Sequence, residues 1–254
     1  MASFQEERRV ARLGTMGWSY PFWVGKLYPK DIKPSGFLAE YAKHFNSVEI
    51  DATFYRIPSE STIESWRNQV PSSFKFAVKF PQSITHASEL DYSSEKLNIF
   101  IDRITLLGDK LGPLLLQFPP YLKQNLSQLR DLLDALPKNQ LYATEFRHKS
   151  WFTEETYNLL RDRGIAFTLT NRDGRPEEKT ADFTYIRWEG DRKTVNGERG
   201  VVELDMRTET TKWADKVSKL LIDDVDVYGY FSKYYSGFPP HDIENIKQYI
   251  TNLI

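Results

Sequence analysis

Seven charged side chains stand at or just past the ends of apolar runs: the carboxylates Glu49, Asp51, Glu145 and Glu189 and the cations Lys79, Arg147 and Arg187. Glu145 and Arg147 lie two residues apart in LYATEFRHKSWF (Leu141 to Phe152), so in an extended chain both side chains leave one face. Charges there either neutralise each other or handle a ligand, because a buried charge persists only when paired. As chemistry, Glu49 and Glu145 form a candidate general acid and base pair of the sugar-cleaving kind, which needs the carboxyls roughly 5 to 9.5 Å apart. Lys79 is a candidate general base or Schiff-base lysine if burial lowers its pKa, and its bland alternative is a salt bridge with Glu49 or Glu145. Arg147 and Arg187 suit the orientation of an anionic group.

Other residues follow the same run ends. Gln117 and His86 add polar contacts, and Trp18, Tyr20, Tyr55 and Trp151 supply flat faces of the kind that bind sugars or bases. His148 also follows a strand, whereas His44 and His241 flank helices and read as structural or surface groups. A weaker anion-binding signal lies in the late loops, with Arg192, Lys193 and Arg199 in one and Lys233 in the next. The chain carries 4 histidines and no cysteine, too few ligands for a multinuclear zinc site. No metal ligand and no cofactor is assigned, although Glu49, Asp51 or Glu145 leave a single divalent ion open.

These residues need elements to hold them. Eight strand candidates stand out: Leu13 to Met16, Val48 to Asp51, Phe74 to Phe80, Leu114 to Phe118, Tyr142 to Phe146, Ile165 to Thr170, Phe183 to Trp188 and Val225 to Phe231. Helix-like stretches follow, at Phe37 to Phe45, Thr62 to Gln69, Glu95 to Lys110, Leu126 to Leu136, Glu154 to Arg163, Glu209 to Leu221 and Ile243 to Leu253; only Asn171 to Ala181 lacks one. Ser61 with Glu64 has capping-box spacing, Asn125, Thr153 and Asp242 read as N-caps, and Gly164 as a helix end. Repeated alternation predicts an α/β fold closed as a single (β/α)8 TIM barrel with a parallel eight-stranded sheet, in one domain over residues 10–254 behind a flexible polar tail at 1–9. An open doubly wound sheet is the runner-up. It is disfavoured because Gly14, Gly17 and Gly25 lack the spacing of a dinucleotide fingerprint.

Composition narrows the function classes. A hydrophobic content of 40% supplies a core, and a net charge of -1 argues against broad electrostatic attachment to nucleic acid or membrane. The absence of cysteine and of a signal-like or membrane-spanning run predicts a cytoplasmic protein.

Longer motifs carry a resemblance. GTMGWSYPFWVGKLYP (Gly14 to Pro29), VEIDATFYRIP (Val48 to Pro58), FKFAVKFPQSITH (Phe74 to His86), LGPLLLQFPP (Leu111 to Pro120) and EFRHKSW (Glu145 to Trp151) together resemble the YecE-like family, domain of unknown function 72. The resemblance implies a TIM barrel with a shared pocket and an unassigned activity. Three positions depart from the family pattern: Asp51 replaces an asparagine, Glu189 a histidine, and Phe231-Ser232-Lys233 a phenylalanine-asparagine-asparagine run.

Two functions are therefore expected. One is an enzyme, a hydrolase or lyase in class, using Glu49, Glu145 and Lys79 for acid-base chemistry on a small anionic, sugar- or nucleotide-like substrate held by the remaining residues. The other is a non-catalytic nucleic-acid or metabolite-binding module in which Trp18 and Trp151 stack on bases.

Overall fold

A computed structural model describes residues 10–253, so the expected tail at residues 1–9 lies outside the described residues. The strands are β1 (Ala11–Thr15), β2 (Ser47–Ile50), β3 (Lys75–Lys79), β4 (Leu111–Phe118), β5 (Tyr142–Phe146), β6 (Ala166–Phe167), β7 (Leu169–Thr170), β8 (Phe183–Trp188) and β9 (Asp226–Phe231). The α-helices are α1 (Phe37–His44), α2 (Glu60–Asn68), α3 (Gln82–Thr85), α4 (Ser94–Thr105), α5 (Leu126–Asp134), α6 (Glu154–Arg161), α7 (Arg207–Ile222) and α8 (Pro239–Leu253).

Local chemistry sets several of these ends. The Asn125 side chain accepts from the Gln128 amide at 3.2 Å, and Thr153 caps α6 through the Thr156 amide. Gly164 takes a positive φ of 61° after α6, as a helix terminator should. Two caps differ from expectation. Helix α2 is capped by Ser59, whose hydroxyl accepts from Thr62, because the helix starts two residues earlier than the Ser61 reading. Helix α8 begins at Pro239, where no amide hydrogen is required, so Asp242 sits inside its first turn rather than before it.

The expectation of a single eight-stranded (β/α)8 TIM barrel is overturned. Among the described residues, nine strands form two parallel sheets, one ordered β1-β9-β8-β7 and the other β2-β3-β4-β5-β6. Each seam has a side-chain hydroxyl in the place of a ladder bond. Between β1 and β2, the Tyr41 hydroxyl accepts from the Thr15 amide at 2.9 Å and donates to the Ser47 carbonyl at 3.0 Å, leaving only a bridge at Met16 and Glu49. The sixth expected strand is cut at Thr168. Its first half pairs with β5 and its second with β8, while Thr180 accepts from the Phe167 amide and donates to the Ile165 carbonyl. Backbone groups satisfied by a side chain are lost to the sheet, and pairing stops there.

Two apolar clusters flank the sheets. The larger runs from Leu13 to Ile250 and joins helices to the outer strand faces. The smaller sets Ala77, Leu115, Ala143 and Ala166 of the five-stranded sheet against Phe183, Tyr185, Tyr228 and Tyr230 of the four-stranded one. Small residues opposite large ones fill the gap between the sheets. Two positions further along four of these strands come Lys79, Gln117, Glu145 and Arg187, which strand periodicity places on the same inward face.

Candidate functional site

Arg187 is the centre of that polar layer. Its guanidinium is buried and donates to Glu49 (2.9 Å from Nη2, 3.1 Å from Nε), to Glu145 (2.6 Å from Nη1) and to Glu189 (3.0 Å from Nη1). Glu49 also accepts from the Tyr185 hydroxyl at 2.7 Å. Glu145 accepts from the Gln117 amide at 3.0 Å and from Arg147 at 2.9 Å, and Arg147 reaches Glu189 at 2.7 Å. Both Glu49 and Glu145 are thus hydrogen-bonded to one cation.

The two carboxyls respond differently to that shared partner. Burial pushes Glu49 up to about 7, against the pull of Arg187 and with the help of Asp51. Burial acts the same way on Glu145, but Arg187 and Arg147 overcome it and hold the group well below the usual carboxylate range. The sugar-cleaving arrangement expected for this pair therefore fails on geometry: a guanidinium occupies the space between them, where a scissile bond and a water would have to enter.

Above this layer opens a cavity of about 580 Å³. Six cations line it (Lys79, Arg147, Arg172, Arg187, Arg192 and Lys233) against the carboxylates of Asp51 and Glu189. Glu49 and Glu145 do not line it; counting them still leaves two more cations than carboxylates. Lys79 is held in a cation-π contact 4.3 Å from the Phe54 ring, with Asp51 at 3.8 Å as its carboxylate neighbour instead of Glu49 or Glu145. Burial lowers its pKa; Asp51 opposes that shift and Arg187 adds to it. His86 lies on the same wall, where burial and the nearby Lys79 and Arg147 lower it to about 4, so it is neutral at pH 7. Arg192 makes no ion pair among the described residues and lies 4.7 Å from the Tyr234 ring, while Lys233 meets Glu198 at 2.6 Å.

Most of the expected site residues converge here. Tyr20, Asp51, Tyr55, Lys79, His86, Gln117, Arg147, Arg187 and Glu189 line the cavity, and Tyr55 stands at its rim, 75% exposed. Trp18 lines a neighbouring cavity. Trp151 is a correction: it is fully buried, stacks on Phe146 and donates its indole N–H to the Leu122 carbonyl at 2.8 Å, so it has no face left for a ligand. His148 accepts from the Ser150 amide and closes a turn, and Lys193 lies outside the cavity lining. Arg172 was not expected. It pairs with Glu189 and extends from the connection without a helix, the one sequence signal that marked it. Asn171 beside it holds the Glu189 backbone through both its amide oxygen and nitrogen.

No helix among the described residues is long and apolar enough to cross a membrane, and none of their His, Cys, Asp and Glu side chains form a group of three suited to a metal.

Known proteins resemble this chain in sequence and in fold. The chain is 32% identical to the UPF0759 protein YecE of Escherichia coli K12 over 168 residues, 65% of this chain and 59% of that protein. It is 32% identical to the UPF0759 protein YunF of Bacillus subtilis, over 60% of this chain and 57% of YunF. The matched region thus spans less than two thirds of these relatives. The crystal structure of a DUF72 family protein from Thermotoga maritima superposes with a TM-score of 0.75 at 28% identity, over 96% of this chain and 99% of that one. The family model described as protein of unknown function DUF72 matches residues 12–252, and the chain belongs to that family.

Proposed function

We propose that the protein is an enzyme that binds a small anionic, sugar- or nucleotide-like substrate in the cation-lined cavity and acts on it by general acid-base chemistry. The observation that carries this reading is the excess of cations around Lys79, a buried amine whose nearest carboxylate is 3.8 Å away. A lysine with a lowered pKa has more free amine near neutrality and is a competent base, while cations arranged around it neutralise a phosphate or carboxylate. In this reading Glu49 and Glu145 do not touch substrate. They fix Arg187, which faces the ligand from the floor. Neutral His86 is a second proton-transfer group on the same wall. Hydrolase or lyase chemistry fits such a set, and the cysteine-free sequence suits a reducing, cytoplasmic setting. The non-catalytic nucleic-acid module keeps the same cations but loses Trp151, on which its base stacking depended.

Calorimetric titration with inorganic phosphate, repeated across a salt series, tests the binding half. Binding that weakens with salt, and weakens by about tenfold or more in an Arg172→Ala, Arg192→Ala double variant, is expected. Phosphate that does not bind at low salt refutes it. For catalysis, the chain is incubated with a panel of sugar phosphates and nucleotides and product is followed by chromatography. Turnover that disappears in Lys79→Met supports the assignment, and turnover unchanged in that variant overturns it.

A further inference from the structure

A second cavity, of about 620 Å³, adjoins the cationic one, and Met16, Tyr20 and Asp51 line both. Its chemistry is different. Among the described residues, Asp51 is the one charged side chain that lines it. Its wall joins Trp18 and Trp66, whose rings meet edge to face at 5.4 Å, and the apolar side chains of Met16, Pro34, Leu38 and Ile50 to the polar side chains of Ser19, Ser35, Ser61, Thr62, Ser65 and Gln69. Indole surface surrounded by small hydroxyls suits a ring with apolar C–H faces and hydroxyl edges. No cation among the described residues lines this cavity, so a second anion seated in it would find no partner of opposite charge there.

We infer that the two cavities are halves of one substrate site, and that the second holds a neutral saccharide ring whose anionic substituent lies among the cations of the first. The inference rests on the anion-binding reading above and narrows its substrate to a phosphorylated or carboxylated sugar. Asp51, whose side chain is 36% exposed, stands at the border, where the ring joins its anionic group. There its carboxylate accepts a hydrogen bond from a ring hydroxyl while facing Lys79 and Arg187, each at 3.8 Å. Trp18 and Trp66 then discriminate by ring shape, and the cations by charge. Aromatic faces add binding through apolar contact and C–H stacking without requiring one hydroxyl pattern.

Calorimetry on the full chain distinguishes the parts. The probes are inorganic phosphate, glucose 6-phosphate, N-acetylglucosamine 6-phosphate, ribose 5-phosphate and AMP. The expected result is that at least one sugar phosphate binds about tenfold or more tightly than inorganic phosphate. Trp66→Ala should remove that gain while the phosphate Kd stays within about twofold, which also reports that the variant is folded. Ser65→Phe, at an exposed position that fills the cavity from α2, should do the same. If phosphate binds but every sugar phosphate merely equals it, or if the gain survives both variants, the inference is overturned and the anion-binding reading stands. A gain for AMP alone assigns the cavity to a base and overturns the saccharide. Absence of phosphate binding at low salt overturns the anion-binding reading and the inference that rests on it.

Discussion

Replacing Arg187 with methionine removes the cation that donates hydrogen bonds to three carboxylates, Glu49, Glu145 and Glu189. Glu145 would keep Arg147 at 2.9 Å and Gln117 at 3.0 Å, and Glu189 would keep Arg147 and Arg172. Among the described residues, Glu49 would keep only the Tyr185 hydroxyl at 2.7 Å, in a site with no solvent access. Breaking a buried pair from one side costs about 3 to 5 kcal/mol, because the remaining charge is uncompensated. That is a large share of the roughly 5 to 15 kcal/mol that holds a domain folded. The loss should also depend on pH in a defined direction. Without Arg187 the Glu49 carboxyl rises above its present value of about 7, further above its value in the unfolded chain. A raised folded-state pKa gives stability that is full below the unfolded value and is lost as pH rises; the native protein and the variant lose it together up to about pH 7, where the native protein levels off, so the variant's deficit is larger at pH 8 than at pH 5. Urea unfolding at both pH values measures it. Adding Glu49→Gln to the Arg187→Met background removes the stranded charge and should restore about 2 kcal/mol or more at pH 8. A deficit under about 1 kcal/mol, a deficit independent of pH, or no recovery by Glu49→Gln would refute the view that Arg187 exists to compensate Glu49.

Asp242, buried beside Ser236, is pushed up to about 7 by that burial against the hydrogen bond it accepts, so its contribution to stability is present below about pH 4 and lost as pH rises through 7. Asp242→Asn should flatten the pH dependence of thermal melting across that window and raise stability at pH 8 by as much as about 4 kcal/mol. Gly190→Ala places a Cβ 1.5 Å from the Tyr234 carbonyl oxygen and must displace the loop carrying Ser232, Lys233 and Tyr234. A lower melting temperature together with weaker phosphate binding in calorimetry is expected. Trp151→Phe should cost about 1 to 3 kcal/mol in urea unfolding through its lost bond to Leu122 and thinner stack, yet leave phosphate affinity within about twofold.

The inward-facing polar residues could be read directly from the amino-acid order. Two-residue periodicity is local: once Ala77, Leu115, Ala143 and Tyr185 face inward, Lys79, Gln117, Glu145 and Arg187 must follow on the same side. The membership in DUF72 and the order of most strands and helices are legible for the same reason, being carried by runs and motifs continuous in the chain, whereas the short helix α3 and the break of the sixth strand are not. The tertiary structure decided which partner each group takes, a matter of residues far apart in sequence. Tyr41 and Thr180 end the ladders at two seams, so two sheets stand where one was expected. Arg187 separates Glu49 from Glu145, Lys79 turns to Asp51 and Phe54, and Trp151 folds under the layer that Arg172 joins from a loop without periodicity. Alternation along a strand fixes the side a residue faces. Distances across the interior, and hence which charges cancel and which stay available to a ligand, are fixed only when the sheets pack.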